Sequence, residues 1–310
     1  MIKRIKTDNR AAWKALRHKY IGGSDAAAIV GMNDFSSPYA VWAEKLDKVP
    51  PFEGNLSTEV GAYLEEFVAR KFEAETGKAV RKANQSFIND EYPWAIANID
   101  RSIVGEDAGL EIKTTGEMNL KKFKGGEYPA NYYCQCVHYM AVTWKAKWYL
   151  AVLIGNRDFR IFEIERDESE IKALMDAEKD FYYNYMLPGN PPPADGSRAT
   201  TETIKEQYPD SSDVTVDLFG MDGRIEQYFA LASRIKELQS EQDEIANSIK
   251  SIMGESSKAE CGKYKVSWSS STRSSFDSKK FAADHQYMDL SAYYKTTQLR
   301  TFRINEIKGA

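Results

Sequence analysis

The stretch Ile96–Glu117, IANIDRSIVGEDAGLEIKTTGE, sets two apolar runs on either side of a Gly/Asp-rich turn. Asp100 closes the first run, and Glu111 and Lys113 stand two positions apart in the second. If both runs are β-strands, Glu111 and Lys113 project from one face, and pairing of the strands brings Asp100 toward them. Ionisable groups among isoleucines and leucine are costly to bury unless something compensates them. The polar rim of an ordinary hairpin does that. So does a divalent cation with a lysine beside it.

The second possibility has a definite chemistry. Mg²⁺ takes oxygen ligands, commonly one or two carboxylates completed by water and substrate phosphate. Asp100 and Glu111 offer the carboxylates, and the main-chain carbonyl of Ile112 offers a third oxygen. Lys113 suits the remaining task of lowering the pKa of a water or neutralising charge that builds on phosphorus. Taken alone, D-x10-E-x-K recurs by chance, and a surface Glu–Lys pair explains it as well. Glu65 shifts the balance. In GAYLEEFVARKF (61–72) it lies one turn after Gly61, beside Leu64 and Val68, with Glu66 as its solvated neighbour. A carboxylate entering the core from a preceding helix can serve as a further ligand or anchor a water.

Around this stretch the periodicity predicts an α/β core. Helices are expected over Ala11–Lys19, Ser24–Val30 and Pro38–Lys45, and over 57–77, where Val60, Leu64, Phe67, Val68 and Phe72 recur at helical spacing. Ser24 follows Gly22-Gly23 and reads as a helix start whose side chain caps free N–H groups. Strands are expected at Val80–Lys82, Ser86–Ile88, Trp94–Asp100, Gly109–Thr114, Lys147–Ile154 and Arg160–Glu165. An amphipathic helix over Ala130–Thr143 separates the fourth from the fifth. A further helix runs from Asp167 to about Met186, where LPGNPPPADG breaks it.

That break is the expected domain boundary, dividing residues 1–196 from 197–310. Beyond it a long helix over 223–253 carries a seam of Ile225, Tyr228, Ala232, Ile235, Leu238, Ile245, Ile249 and Ile252 at spacings near 3.5. An intramolecular hairpin is the expected cover for that seam, with another chain as the alternative. A small α+β tail follows, with strands near Tyr264–Trp268 and Leu299–Ile304 around a helix opening at Asp277. From residue 260 onward there are nine Lys/Arg against five Asp/Glu, which suits a surface facing DNA or a partner.

Composition excludes several classes. The 310 residues are 42% hydrophobic and 28% charged, an ordinary globular balance. No apolar run approaches the ~20 residues of a membrane helix, and MIKRIKTDNRAAWKALR lacks the apolar region and cleavage site of a secretory signal. The net charge of −4 rules out a generic polycation, so nucleic-acid binding needs a local basic surface. Three cysteines, Cys134, Cys136 and Cys261, are too few for a disulfide framework and are expected buried in a reducing compartment. His138 reads as a core histidine rather than a catalytic base, and most of Tyr128, Tyr132, Tyr133 and Tyr139 read as core. Lys121, Lys122 and Lys124 form a small basic run near the presumed site.

The order G-x-x-L-E (61–65), D-x10-E-x-K (100–113) and YYCQCVHYM (132–140), opened by WKALRHKYIGGSDAAAIVG (13–31), resembles the YqaJ-type, lambda-exonuclease-like viral recombinase nucleases of the PD-(D/E)XK superfamily. The resemblance spans roughly residues 13–165. It implies a restriction-endonuclease-like core, a mixed sheet flanked by helices, followed by a helical C-terminal extension with its small tail. It implies Asp100 and Glu111 as metal ligands, Lys113 as the catalytic lysine, Glu65 as the helix glutamate and Gln135 as the active-site-helix glutamine. Arg17 and Ser24, seven apart, match the pair that holds a terminal 5′-phosphate. A serine at a helix N-terminus and a bidentate arginine suit that anion. Two positions depart from the pattern: Ile99 stands where a proline often precedes the aspartate, and Val137 where a second glutamine is frequent.

The implied activity is that of a Mg²⁺-dependent (alternatively Mn²⁺-dependent) alkaline exonuclease degrading linear double-stranded DNA 5′→3′ in the bacterial cytoplasm. It would act in recombination with a single-strand annealing protein of the RecT/Bet type, some relatives closing into a trimeric ring. An endonuclease on the same core is the nearest alternative. A non-catalytic DNA-binding scaffold is the alternative from another class.

Overall fold

The chain is described by a computed structural model over residues 1–297 and 299–307. It divides into two units, Met1–Pro209 and Asp210–Ala310. In the first, β1 (Ile2–Ile5), α1 (Arg10–His18), β2 (Ile21–Gly22), α2 (Gly23–Ile29), α3 (Pro38–Lys45) and α4 (Leu56–Thr76) precede the sheet strands. Then come β3 (Val80–Lys82), β4 (Ser86–Asn89), β5 (Ala95–Ile96), β6 (Arg101–Ile103) and β7 (Ala108–Thr115). The unit ends with α5 (Ala130–Thr143), β8 (Lys147–Ile154), β9 (Asp158–Glu165), α6 (Glu168–Phe181) and α7 (Arg198–Gln207).

A five-stranded mixed sheet in the order β3-β6-β7-β8-β9 forms the frame. Here β7 runs parallel to β8 along its whole length, from Ala108↔Lys147 to Thr115↔Ile154, and the other pairs are antiparallel. The parallel step needs a crossover, and α5 supplies it. Strand β8 reads as an unbroken apolar run because both of its faces are covered. Tyr149 and Ala151 join Val68, Ala69 and Phe72 of α4 in one core cluster, while Trp148, Leu150 and Val152 face the larger cluster that contains α5. Strand β7 divides in the same way. Leu110 and Ile112 belong to the α4 side, so Gly109, Glu111 and Lys113 look toward α5. A Cβ on Gly109 would lie 2.3 Å from the Trp148 ring, so only glycine lets that indole cross the strand.

Several expectations are corrected. The segment expected as one strand, Trp94–Asp100, holds only the two-residue β5, which pairs with β2, and β6 starts after it, at Arg101, to pair with β3 and β7. Helix α5 is not amphipathic, because Cys134–Val142 are all buried where it packs against α2, α6, β4 and β8. On α4 the seam closes only at its C-terminal half: Val68 and Phe72 are buried, Val60 and Phe67 exposed. The Pro-rich break does not end the first unit. Beyond it α7 packs on α3, with Tyr39 donating to Gln207 Oε1 at 2.8 Å and Thr200 to Ser37 Oγ at 2.8 Å.

The second unit holds α8 (Asp222–Met253), the hairpin β10 (Lys258–Cys261) and β11 (Tyr264–Ser267), and α9 (Ser278–Asp284) capped by Asp277. The partner of the Tyr264 strand is thus the adjacent β10 across a Gly262-Lys263 turn, and the described residues of 299–304 form no strand. A two-residue turn makes the local pairing cheaper to close than the distant one. Cys134 and Cys136 are buried as expected, but Cys261 is exposed. Among the described residues the expected hairpin cover for α8 does not form. Its seam residues Tyr228, Ile235, Leu238, Ile245, Ile249 and Ile252 are all exposed.

Candidate functional site

Asp100 sits one residue before β6, level with the middle of β7. Its Oδ2 accepts from the Ile112 N–H at 2.8 Å, because β6 stops pairing with β7 at Arg101↔Leu110 and leaves that N–H free for a side chain. Burial, then the charge of Glu111, pushes the Asp100 carboxyl well above the usual carboxylate range, against the pull of Lys113 and the Ile112 N–H.

Glu111 is 2% exposed. Its Oε1 accepts from Lys113 Nζ at 2.7 Å and from Gln135 Nε2 at 2.7 Å. Its Oε2 is buried with no hydrogen-bond partner. Lys113 Nζ also donates to Gln135 Oε1 at 2.8 Å and lies 5.4 Å over the Tyr132 ring. A lysine can only donate and a carboxylate only accept, so these contacts fix which way the Gln135 amide faces. Its second N–H goes to Tyr139 Oη at 2.8 Å. Burial works against the charge on Lys113, yet the Glu111 carboxylate outweighs it and holds the lysine above its ordinary value.

The structure therefore brings Asp100, Glu111, Lys113 and Gln135 together. Glu65 joins them indirectly. Arg101, 2% exposed, grips Glu65 with Nη1, Glu66 Oε2 with Nη2 at 3.1 Å, and donates to the Asp100 carbonyl at 2.9 Å. Lys82 stands 3.7 Å from the same Glu65 oxygen. Glu65 and Asp100 both line a cavity of about 360 Å³ with Trp13, Lys82, Ser86 and Asn98. Arg101 is not among the residues that the sequence motifs single out, although an arginine inside an apolar strand is a signal that a carboxylate must meet it. Nor is Asn98, whose Oδ1 accepts from Trp13 Nε1 at 2.9 Å and Ser86 Oγ at 2.6 Å. Those bonds tie α1 to the segment that carries Asp100.

Arg17 and Ser24 also meet: Arg17 Nη2 donates to Ser24 Oγ at 2.8 Å. Ser24 is not the cap expected of it. Gly22 occupies the cap position, Asp25 accepts from the Gly22 N–H at 2.8 Å, and the Ser24 hydroxyl stays exposed. Asp25 is the counter-ion beneath the pair, with Lys45 Nζ at 2.6 Å and Arg17 at 4.0 Å. Burial opposes its charge, but Lys45 and Arg17 overcome that and keep it below the ordinary range. Gly23 binds the two regions, since a Cβ there would lie 2.6 Å from the Tyr139 ring.

His138 is fully buried, its Nε2 3.0 Å from the Ile96 carbonyl and its Nδ1 2.8 Å from Glu178 Oε1. The carbonyl can only accept, so Nε2 carries a proton and another lies between ring and carboxylate. The pair braces α5 against α6, as a core histidine should.

Among the described residues no three Asp, Glu, His or Cys side chains form a metal-holding group. What stands here is two carboxylates, a set that fits Mg²⁺ completed by water and phosphate. Glu111 Oε2 is buried without a partner, and the Asp100 carboxyl is raised first by burial and then by the Glu111 charge, both of which suit a divalent cation.

The mixed sheet flanked by helices, its central strand β7 presenting E-x-K beside the Asp100 that immediately precedes β6, is the core expected of the PD-(D/E)XK fold class. A family model for the YqaJ-like viral recombinase domain matches residues 12–146. The YqaJ protein of Bacillus subtilis (strain 168), itself described as uncharacterized, is 37% identical over 305 residues, covering 96% of this chain and 95% of its own. The chain belongs to the YqaJ-like viral recombinase family. Among solved structures, an alkaline exonuclease (LHK-Exo) from Laribacter hongkongensis is similar at 20% identity and TM-score 0.47, over 56% of this chain and 90% of that one. A phage related exonuclease from Haemophilus somnus 129PT is similar at 16% identity and TM-score 0.43, over 57% and 99%.

Proposed function

We propose that this protein is a divalent-metal-dependent exonuclease that degrades linear double-stranded DNA in the 5′→3′ direction. The convergence of Asp100, Glu111, Lys113 and Gln135, with one Glu111 oxygen left unpartnered, carries the reading. Asp100, Glu111 and the Ile112 carbonyl, on the same strand edge as the N–H that Asp100 engages, would hold Mg²⁺ or Mn²⁺. When bound, the ion supplies a Lewis acid and a water of lowered pKa. Lys113 is held charged by Glu111 and aimed by Gln135, so its ammonium can neutralise charge developing on the scissile phosphate. Glu65, steered by Arg101, borders the cavity that Asp100 lines and can anchor a water there.

Direction is assigned to the other pair. A terminal phosphate carries more charge than an internal diester, and Arg17 with Ser24 offers a guanidinium fork and a hydroxyl to it. Digestion from a 5′ end leaves a 3′ single strand, the substrate of an annealing protein of the RecT/Bet type, and the family's description as a viral recombinase supports that setting. The test uses linear and covalently closed duplex, with 5′-phosphate or 5′-hydroxyl on the linear ends, in Mg²⁺ and in EDTA. The reading expects hydrolysis of linear DNA only, faster from 5′-phosphate and absent in EDTA. Equal cleavage of closed circles would replace it with an endonuclease, and no cleavage of any substrate with a scaffold.

A further inference from the structure

Helix α8 has 32 residues, about 48 Å at 1.5 Å per residue. Between Tyr228 and Ile252 two sets of positions repeat every seven residues, with Ile225, Phe229 and Met253 outside them. One set of seam positions holds Tyr228, Ile235, Gln242 and Ile249, and the set three residues on holds Leu231, Leu238, Ile245 and Ile252. A repeat of 3.5 residues is the signature of a helix wound on another helix, since packing on a sheet or globular core follows 3.6. The seven apolar members are between 40% and 85% exposed. Tyr228 meets Phe302 edge-on with ring centroids 6.3 Å apart, at one end of the seam.

We infer that α8 is a self-association helix whose seam is covered, parallel and in register, by α8 of a second copy of this chain. Gln242 points to that occupant. In a parallel, in-register pair its amide faces its own copy, and two carboxamides satisfy each other as donor and acceptor. In the fully overlapped antiparallel pair it would face Leu238 and bury an unmatched amide at both crossings. A single polar layer of this kind fixes register in coiled coils. Ala232 and Ala246 beside the seam let two backbones approach, and Arg234, Lys236, Asp243, Glu244 and Lys250 keep the remaining surface in water. Burying a Leu or Ile at ~1.5–3 kcal/mol corresponds to about 60–120 Å² each. Seven such side chains come to several hundred Å² per chain, on the order of the ~800 Å² of a stable interface.

The test uses the full chain carrying Cys261→Ser, which removes the exposed thiol. Gln242→Cys in that background should form an intermolecular disulfide under mild oxidation, because facing seam positions meet the spacing a disulfide needs. Ser240→Cys, on the outer face, is the control, and the seam cysteine should exceed it at least about tenfold through its high effective concentration. Ile235→Glu with Ile245→Glu, at positions already exposed in the single chain, should abolish the crosslink and lower the sedimenting mass. A monomeric wild type, equal crosslinking at 240 and 242, or an unchanged mass in the double variant would overturn the proposal.

Discussion

In the first unit Arg101, Glu111, His138 and Glu178 are each 2% exposed or less, while seven apolar residues along α8 stand at 40–85%. One unit hides charge, and the other shows apolar surface. Both run against the ordinary sorting of residues between core and water, which is why both are informative. The difference lies in how each exception is resolved. Arg101 is matched by Glu65 and Glu66, and His138 by Glu178 and the Ile96 carbonyl, within the chain, although Glu178 also keeps a buried, unpartnered Oε2. Glu111 keeps an unpartnered oxygen, and α8 an uncovered seam. As proposed above, a cation would complete the first of these, and a second copy of the chain the second.

The sharpest break would come from removing what awaits the cation. Asp100→Ala or Glu111→Ala should lower Mg²⁺-dependent hydrolysis of linear duplex by at least about 10³-fold, the loss of several kcal/mol of transition-state stabilisation. Circular dichroism should report an unchanged fold. Wild-type rates in both variants would remove these residues from the chemistry.

Glu178 tests the charges that are resolved internally. Glu178→Ala leaves His138 buried against one carbonyl and should cost about 3–5 kcal/mol in denaturant unfolding, with no direct effect on the ion site. A loss below about 1 kcal/mol would show that the pair does not brace α5. Smaller still is the effect of Arg17→Ala on end choice. Losing a charge-assisted hydrogen bond of ~1.5–3 kcal/mol should reduce the rate ratio of 5′-phosphate to 5′-hydroxyl ends by roughly tenfold to a hundredfold, with slow cleavage retained. An unchanged ratio would take Arg17 out of the phosphate pocket.

The smallest effect follows from Asp100, whose pKa is raised in the folded chain. A raised carboxylate contributes stability below its unfolded value, and loses it as pH rises through the folded one. At neutral pH, without metal, the buried Asp100 carboxyl therefore weighs against the fold, since folding either buries its charge or makes it take up a proton. Asp100→Asn keeps an oxygen for the Ile112 N–H and should raise the metal-free melting temperature by roughly 2–4 °C at pH 7, the size of about 1 kcal/mol. The gain should vanish near pH 4. A lower melting temperature at pH 7 would mean that the site is not strained by its own charges.

Much of the sheet was legible because its signals are local. The apolar run of β8 and the alternation of β7 state their own burial, and D-x10-E-x-K with Gln135 fits the strand-helix spacing that the structure shows. What the sequence could not show is partnership at a distance. Arg101 meets a helix 35 positions earlier at Glu66, and Asp25 meets Lys45, through packing that no spacing rule encodes. Ser24 reads as a cap because its residue type favours caps, but Gly22 stands at that position and Asp25 takes only the Gly22 N–H from inside the helix. The unit boundary was misplaced for a similar reason. Prolines mark a break in local structure, whereas α7 returns to α3 through Gln207 and Thr200.

The claim that the hidden charge of the first unit awaits a cation is tested most directly by equilibrium binding of Mn²⁺, followed by loss of the free-ion EPR signal. Wild type, Glu111→Gln and Asp100→Asn would be titrated without DNA. The account predicts binding to the wild type and at least about tenfold weaker binding to each variant, since each removes one of only two carboxylates. Equal binding by all three proteins, or none by the wild type, would contradict it.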